Sequence, residues 1–245
     1  MSASNQTASV LGLPVHLRPD YVEALSSRLR SGDGTHVVTI NAEMAMLAQE
    51  NPELAEVIRQ AELVIPDGAG VVWVLRSRGW TLRRCPGIEL AAALVAQAAR
   101  EGWTVCFYGG EPGVAQAAAD HWQQQYPQLR MGGVWHGYLS PAEQQQCAEA
   151  IASRQPQLIL VGLGVPRQEF WIRDHRSLAP GSIWVGVGGS FDIWSGRKER
   201  APRWLCRLSL EWTWRLYQEP WRWRRMLALP QFAWAALTER SPARP

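Results

Sequence analysis

The stretch Val64-Ile65-Pro66-Asp67-Gly68-Ala69-Gly70-Val71-Val72-Trp73 decides the fold. A short apolar run that ends in Pro-Asp-Gly and resumes as Ala-Gly-Val-Val-Trp reads as a buried strand, a sharp turn and the first turn of a helix. Asp67 then stands at the carboxyl end of a strand. In open α/β sheets ligands collect at that edge, because loops gather there in a crevice and helix N-termini aim their free N–H groups into it. The same residues also suit a plain structural turn, which Asp67 closes with a side-chain hydrogen bond.

Similar punctuation recurs on both sides of this stretch. His36-Val37-Val38-Thr39-Ile40 runs into Asn41-Ala42-Glu43, and Trp103–Tyr108 runs into Gly109-Gly110. Leu129–Val134 is another strand-like run. Leu158-Ile159-Leu160-Val161 leads to Gly162-Leu163-Gly164-Val165-Pro166-Arg167-Gln168-Glu169, and Ser182–Val187 to Gly188-Gly189-Ser190-Phe191-Asp192. Helical patterns separate most of these runs. Such alternation predicts a doubly wound, Rossmann-like α/β fold whose mainly parallel sheet is flanked by helices. Thr39 and Asn41, Asp67, Gly109 and Gly110, Gly162 and Gly164, Gln168 and Asp192 then share one rim. Asn41 reads equally as the N-cap of the following helix, and Gly-Gly as a structural turn. Residues 1–35 are weakly patterned, with one helix expected near Tyr21–Leu29.

Composition narrows the class. With 245 residues, 47% of them hydrophobic, the chain can bury a sizeable core. Four cysteines without paired spacing read as reduced thiols of a cytosolic protein, and five histidines without HExxH spacing predict no zinc site. Met1 to Val10 lacks the pattern of a secretion signal, and the apolar run Met226–Leu237 is too short to span a bilayer. The net charge of +3 is unevenly placed: from Arg197 onward eleven Lys or Arg face four Glu, and six of the fourteen tryptophans fall there. This predicts a body at 1–196 and a basic Trp/Arg-rich appendage at 197–245. On a helical wheel Leu205, Leu208, Trp212 and Leu216 form one stripe, opposite and flanked by Arg203, Arg207 and Arg215, and Pro220 breaks that helix. Such a face suits an anionic membrane surface, or simple docking on the body. Nucleic acid ranks lower, because nothing in the body resembles a nucleic-acid module.

No DxD pair is present to hold a divalent ion on a nucleotide diphosphate, so helix N-termini and arginines are left to meet that charge. Taken in order, several motifs together resemble the WecG/TagA/CpsF family of bacterial glycosyltransferases. They are Thr39-Ile40-Asn41-Ala42-Glu43, Pro66-Asp67-Gly68-Ala69-Gly70, Tyr108-Gly109-Gly110, Val161 to Glu169, Gly186 to Asp192, Arg200-Ala201-Pro202 and Leu210-Glu211-Trp212 through Glu219-Pro220. The resemblance implies inverting transfer of a sugar, often of N-acetylmannosamine type or else a related hexose or uronic acid, from a UDP-sugar to a polyprenyl-diphosphate-linked saccharide. The product would serve a cell-surface polysaccharide or a teichoic-acid-type polymer.

The resemblance also implies roles. Asp67 is the implied general base, and Thr39, Asn41 and Gln168 are implied substrate contacts. A membrane-targeting tail closes over the site and brings Arg215, Arg222 and Arg225 to the diphosphate. Neither a metal nor another cofactor is expected, and the implied place is the cytoplasmic face of the membrane. An unlatched tail would expose apolar surface and favour homo-oligomers. Glu89 and Cys85 depart from the family pattern, which leaves the choice of donor sugar and of acceptor open. A non-catalytic nucleotide-binding protein, tethered by the same tail, is the alternative.

Overall fold

The computed structural model describes residues 6–208 and 210–239. Strands β1 (Gln6–Val10) and β2 (Leu13–Leu17) precede helix α1 (Tyr21–Arg30). Then come β3 (Thr35–Ile40), α2 (Ala42–Glu50), α3 (Pro52–Gln60), β4 (Leu63–Pro66), α4 (Ala69–Ser77) and α5 (Gly87–Glu101). The second half holds β5 (Thr104–Gly109), α6 (Val114–Gln125), β6 (Arg130–Trp135), α7 (Pro141–Arg154), β7 (Leu158–Gly162), α8 (Arg167–His175), β8 (Ile183–Gly186) and α9 (Ser190–Trp194). The C-terminal segment forms α10 (Arg203–Arg207), α11 (Glu211–Gln218), a 3-10 turn at Pro220–Arg222, α12 (Trp223–Met226) and α13 (Ala228–Thr238).

Strands β3 to β8 make one six-stranded sheet in the order β4-β3-β8-β7-β5-β6, with every pair parallel. Side chains alternate across it, as the two-residue period of a strand requires. Val37, Ile65, Val105, Phe107, Leu160 and Val185 face a layer built from α1, α5, α6 and α9. On the other face, Val38, Ile40 and Val64 meet α2, α3 and α4, while Cys106, Tyr108, Ile159, Val161 and Trp184 meet α7 and α8. Both faces are covered, which is why the strands read as unbroken apolar runs. This is the Rossmann-like architecture expected from the sequence.

Two expectations need correcting. The weakly patterned N-terminus holds an antiparallel hairpin, with Val10, Leu13, Val15 and Leu17 buried. Its turn puts Leu11 at φ 51° and Gly12 at φ 71°, the left-handed pair that suits strand twist. The hairpin covers the β4 edge, where Val64 N–H donates to His16 Nδ1 at 2.8 Å, and so protects it from stray pairing. Polar residues at its start and Pro14 within it hide the strand pattern.

The single amphipathic helix of the tail is likewise two helices. The chain turns after Arg207, where Leu208 N–H donates to Trp204 O at 3.1 Å and Leu210 N–H to Leu205 O at 2.9 Å. Leu205 is buried while Leu208 is 63% exposed, so one stripe does not join them. This turn lets Glu211 reach back to Arg84 and Arg200. The Arg207 side chain and Ser209 lie outside the described residues.

The tail also shares the core of the body. Phe232 and Ala236 of α13 pack in the cluster that contains the hairpin, α2 and α4. Arg78 on the body donates to Ala236 O at 2.7 Å and pairs with Glu239 at 2.8 Å. The Glu239 carboxylate in turn accepts from Leu11 N–H at 3.0 Å and Gly12 N–H at 3.1 Å. Phe232, at 1% exposure, lies against Gly70 and Ala42, next to the rim. Phe232→Ala is expected to lower unfolding stability by about 3–5 kcal/mol, the range for emptying a buried aromatic site. Urea titration of both proteins reads that change directly.

Candidate active site

The register between β3 and β4 pairs Thr39 with Ile65 and Ile40 with Pro66, so Asn41 and Asp67 leave the sheet side by side. Asp67 N–H and Gly68 N–H both donate to Ile40 O, at 3.0 and 3.2 Å. A Cβ on Gly68 would stand 2.7 Å from Asn41 Cβ and 2.8 Å from its Cα. Only glycine lets the two turns approach this closely. Asn41 caps α2 by accepting from Met44 N–H at 2.9 Å and also lines the cavity beside Asp67. The N-cap reading therefore holds, and the residue also stands on the cavity wall.

That cavity has a volume of about 200 Å³ and is bounded on one side by the body and on the other by the tail. Arg84 comes from the body; Glu211, Trp212, Arg215, Arg225 and Leu229 come from the tail. Arg84 Nε donates to the Asp67 carbonyl at 2.7 Å, and its other end pairs with Glu211. Glu211 also faces Arg200, at 3.8 Å. Burial pushes the Glu211 pKa up, but the Arg84 hydrogen bond and the two guanidinium groups leave it below the ordinary carboxylate value. Arg225 lies 3.4 Å from Glu43. Arg222 belongs to the 3-10 turn, and its side chain lies outside the described residues.

Enclosure by protein raises the pKa of Asp67 above the ordinary 3.8. The cations of Arg84 and Arg215 and the Gly87 N–H oppose the rise, and Glu211 adds to it. A carboxylate in this setting holds a proton more readily than an exposed one, which suits a group that must accept a proton from an alcohol.

A second cavity, about 610 Å³, opens above the ends of β5, β7 and β8. Gly110, Gly162, Gly164, Gly188 and Gly189 line it together with Asp192, Arg167, Arg197 and Lys198. Glu111 also lines it and pairs with Arg197 at 2.5 Å, so the lining carries one cation more than its acids; bare backbone with this small positive excess suits an anionic ligand approached closely by the main chain. Gly109 instead serves the packing of two strand ends, since it is buried at φ 134° and a Cβ there would meet Gly162 O at 2.4 Å. Asp192 pairs with Lys198 at 3.3 Å. Between the two cavities lies a smaller one of about 80 Å³, lined by Gly189, Lys198, Arg200, Glu211 and Arg215. It shares Glu211 and Arg215 with the first and Gly189 and Lys198 with the second, so the three adjoin in a row, a trough divided by these residues, along the carboxyl edge of the sheet.

Two candidate residues face inward. Thr39 is buried beneath Gly87, where an added Cβ would lie 3.0 Å from Thr39 Oγ1. Gln168 is buried with both ends of its amide bonded inside the protein. Neither is among the lining residues of these three cavities: Gly87, at the start of α5, covers Thr39, and Gln168 Oε1 accepts from Gly188 N–H at 3.0 Å. Sequence reasoning assigned no role to Arg84, Arg200 or Lys198. Arg83-Arg84 beside Cys85-Pro86 was the only local signal for the first of these, and a two-arginine run has no specific meaning. Among the described residues no group of three or more His, Cys, Asp or Glu is placed to hold a metal ion.

Comparison with known proteins agrees with this geometry. A profile described as the Glycosyl transferase WecG/TagA/CpsF family matches residues 8–245. A protein of Bacillus spizizenii, named N-acetylglucosaminyldiphosphoundecaprenol N-acetyl-beta-D-mannosaminyltransferase, is 36% identical over 232 residues, covering 94% of this chain and 87% of its own length. A protein of the same name from Bacillus subtilis is 34% identical over 207 residues, covering 84% of this chain and 80% of its own length. The match runs through both cavities and the tail that closes one of them, so the chain is a hexosyltransferase and belongs to the WecG/TagA/CpsF family.

Proposed function

We propose that the chain moves a sugar of N-acetylmannosamine type from a UDP-sugar to a polyprenyl-diphosphate-linked saccharide, inverting the anomeric carbon. The observation that carries this reading is the placement of Asp67 beside Arg84 and Arg215, in a cavity that shares Glu211 and Arg215 with the small one adjoining the glycine-lined cavity. The larger cavity takes the nucleotide diphosphate and the smaller one the acceptor sugar. The acceptor hydroxyl oxygen attacks the anomeric carbon from the Asp67 side and its proton passes to the Asp67 carboxylate. The bond from the anomeric carbon to the phosphate oxygen breaks, and UDP leaves with the electron pair. A single displacement of this kind inverts the centre. Of the three arginines that the resemblance assigns to the diphosphate, Arg215 also lines the small cavity beside Gly189 and Lys198, and it meets the charge of the leaving UDP from there, in place of a metal, while Arg225, on the Asp67 cavity, and Arg222 serve the diphosphate of the acceptor.

The tail presents the acceptor. Trp204, Trp221, Trp223 and Trp234 are between 54% and 73% exposed, and Arg224 stacks on Trp223 at 5.5 Å. No helix among the described residues is long and apolar enough to cross a membrane. Indoles at the headgroup level and guanidinium groups on phosphates would hold the chain at the cytoplasmic surface, where a lipid-linked acceptor resides.

The test is UDP release from a panel of UDP-sugars, with and without a short-chain prenyl-diphosphate-GlcNAc acceptor, in the presence and absence of EDTA. Release that depends on acceptor and is unchanged by EDTA is the expected result. Loss of turnover in EDTA, restored by a divalent ion, would remove the arginine-only account of the leaving group. UDP binding without turnover for any donor and acceptor would favour the tethered, non-catalytic reading.

A further inference from the structure

Three buried polar side chains form a chain that neither cavity uses. Glu169, near the start of α8, has no exposed surface; its neighbour Gln168 and His36 of β3 are each 2% exposed. Glu169 Oε2 lies 2.7 Å from His36 Nε2. Glu169 Oε1 accepts from Gln168 Nε2 at 2.9 Å, and Gln168 Oε1 accepts from Gly188 N–H at 3.0 Å. Room for this is made by Gly186, where a Cβ would fall 2.3 Å from Gln168 Nε2 and 2.6 Å from Glu169 Oε1. A carboxylate taken fully out of water costs several kcal/mol unless its partners repay it, so an apolar residue would serve packing better. The cost needs a reason beyond packing.

We propose that Glu169 is a positioning residue that acts through Gln168 to fix the Gly188-Gly189 turn flooring the larger cavity. A glutamine amide is nearly symmetric in shape, and packing alone tells its oxygen from its nitrogen poorly. A carboxylate oxygen facing it accepts the Nε2 hydrogen, which leaves Oε1 turned to Gly188. The Gly188 N–H is thereby drawn inward, away from the ligand. On its other side the same residue packs on Gly162, whose Cβ would meet Gly188 O at 3.0 Å. The turn is also held at its flanks, by Val187 N–H to Val161 O at 2.9 Å and Ser190 N–H to Val187 O at 3.1 Å, while Gly188 itself, with φ at 52° and no side chain, is held through its N–H to Gln168. His36 anchors the far end on β3, three residues before Thr39, so the relay ties the strand beside Asp67 to the floor of the neighbouring cavity. The assignment of UDP to that cavity rests on the function proposed above; the placement of the turn does not.

The test swaps the two amide and acid groups. Glu169→Gln leaves one acceptor oxygen where two faced His36 and Gln168, so His36 and Gln168 compete for it and the orientation of Gln168 is no longer fixed. The double variant Gln168→Glu with Glu169→Gln restores every bond, because Gln at 169 can donate to Glu at 168 while its oxygen faces His36. Amide hydrogen exchange at Gly188 reads the turn without any ligand, and calorimetry with UDP reads the cavity. In Glu169→Gln, exchange at Gly188 is expected to rise about tenfold and the UDP Kd about tenfold, the size of one buried hydrogen bond left unmade. The kcat at saturating donor is expected to change by less than about threefold, and the double variant to recover both quantities.

Unchanged Gly188 exchange in Glu169→Gln, or a double variant no better than the single one, would overturn the proposal. If Glu169→Gln does not fold, the double variant decides: native exchange at Gly188 supports the relay, and failure to fold rejects it. If wild type binds no UDP, the functional reading fails while the exchange pattern still decides the relay.

Discussion

Asp67→Asn is expected to lower kcat by about 10²–10⁴-fold, the usual contribution of a positioned general base, with UDP affinity within about twofold of wild type. The substitution keeps the shape of the side chain and the turn that Gly68 permits, and removes only the proton acceptor. Single-turnover measurement of UDP release, with calorimetry on the same preparations, separates the two quantities. A variant that retained more than about a tenth of wild-type turnover would take Asp67 out of the proton transfer.

The surroundings of Asp67 add a pH dependence. Its pKa is raised by enclosure and held back by Arg84 and Arg215. Wild-type kcat/KM should therefore fall as pH drops through a value above 3.8, the ordinary carboxylate position. Removing a cation disfavours the charged carboxylate, so Arg215→Ala should move this acid limb to higher pH in addition to lowering the rate. A limb that stays in place or moves to lower pH would mean that another group sets it.

Truncation before Pro202 is expected to cost about 10³-fold or more in turnover, since loss of one transition-state donor commonly costs about 10²–10³-fold. It removes Arg215 and Arg225 together, along with Glu211, Trp212 and Leu229 from the wall of the Asp67 cavity. It also takes Phe232 and Ala236 out of the core, so the body is left with an exposed apolar bed on α2 and α4. Flotation with anionic vesicles should fail for the truncated chain and succeed for the full one. The bare body should self-associate, which light scattering would report. A monomeric, active truncation would show the tail to be a tether alone.

The candidate site was legible in part. Asp67, Asn41 and the glycine turns announce themselves because an apolar run ending in a small or polar turn is a local pattern. Arg215 and Arg225 entered through resemblance, and the structure puts them on the cavity that holds Asp67. Arg84 was not legible: its meaning comes from Glu211, 127 positions away. Gln168 looked like a ligand contact because it opens a helix at the rim. Its direction depends on whether the helix turns that face toward the cavity or the sheet, and α8 turns it toward Gly186 and Gly188.

Sequence alone determined the alternation of strands and helices, the rim where six parallel strands end, and the uneven charge that sets the tail apart. These follow from short-range rules: side-chain period, turn chemistry and composition, each acting over a few residues. Tertiary structure alone decided the strand order β4-β3-β8-β7-β5-β6, and with it which rim residues share a cavity. Thus Asp67 and Asn41 stand together at one end of the trough, and Gly110 and Gly162 at the other. It also decided that the tail closes the first cavity, through Phe232 seated beside Gly70 and Glu211 between Arg84 and Arg200. Contacts of that kind join segments far apart in the chain, and their free energy appears only once both surfaces are folded.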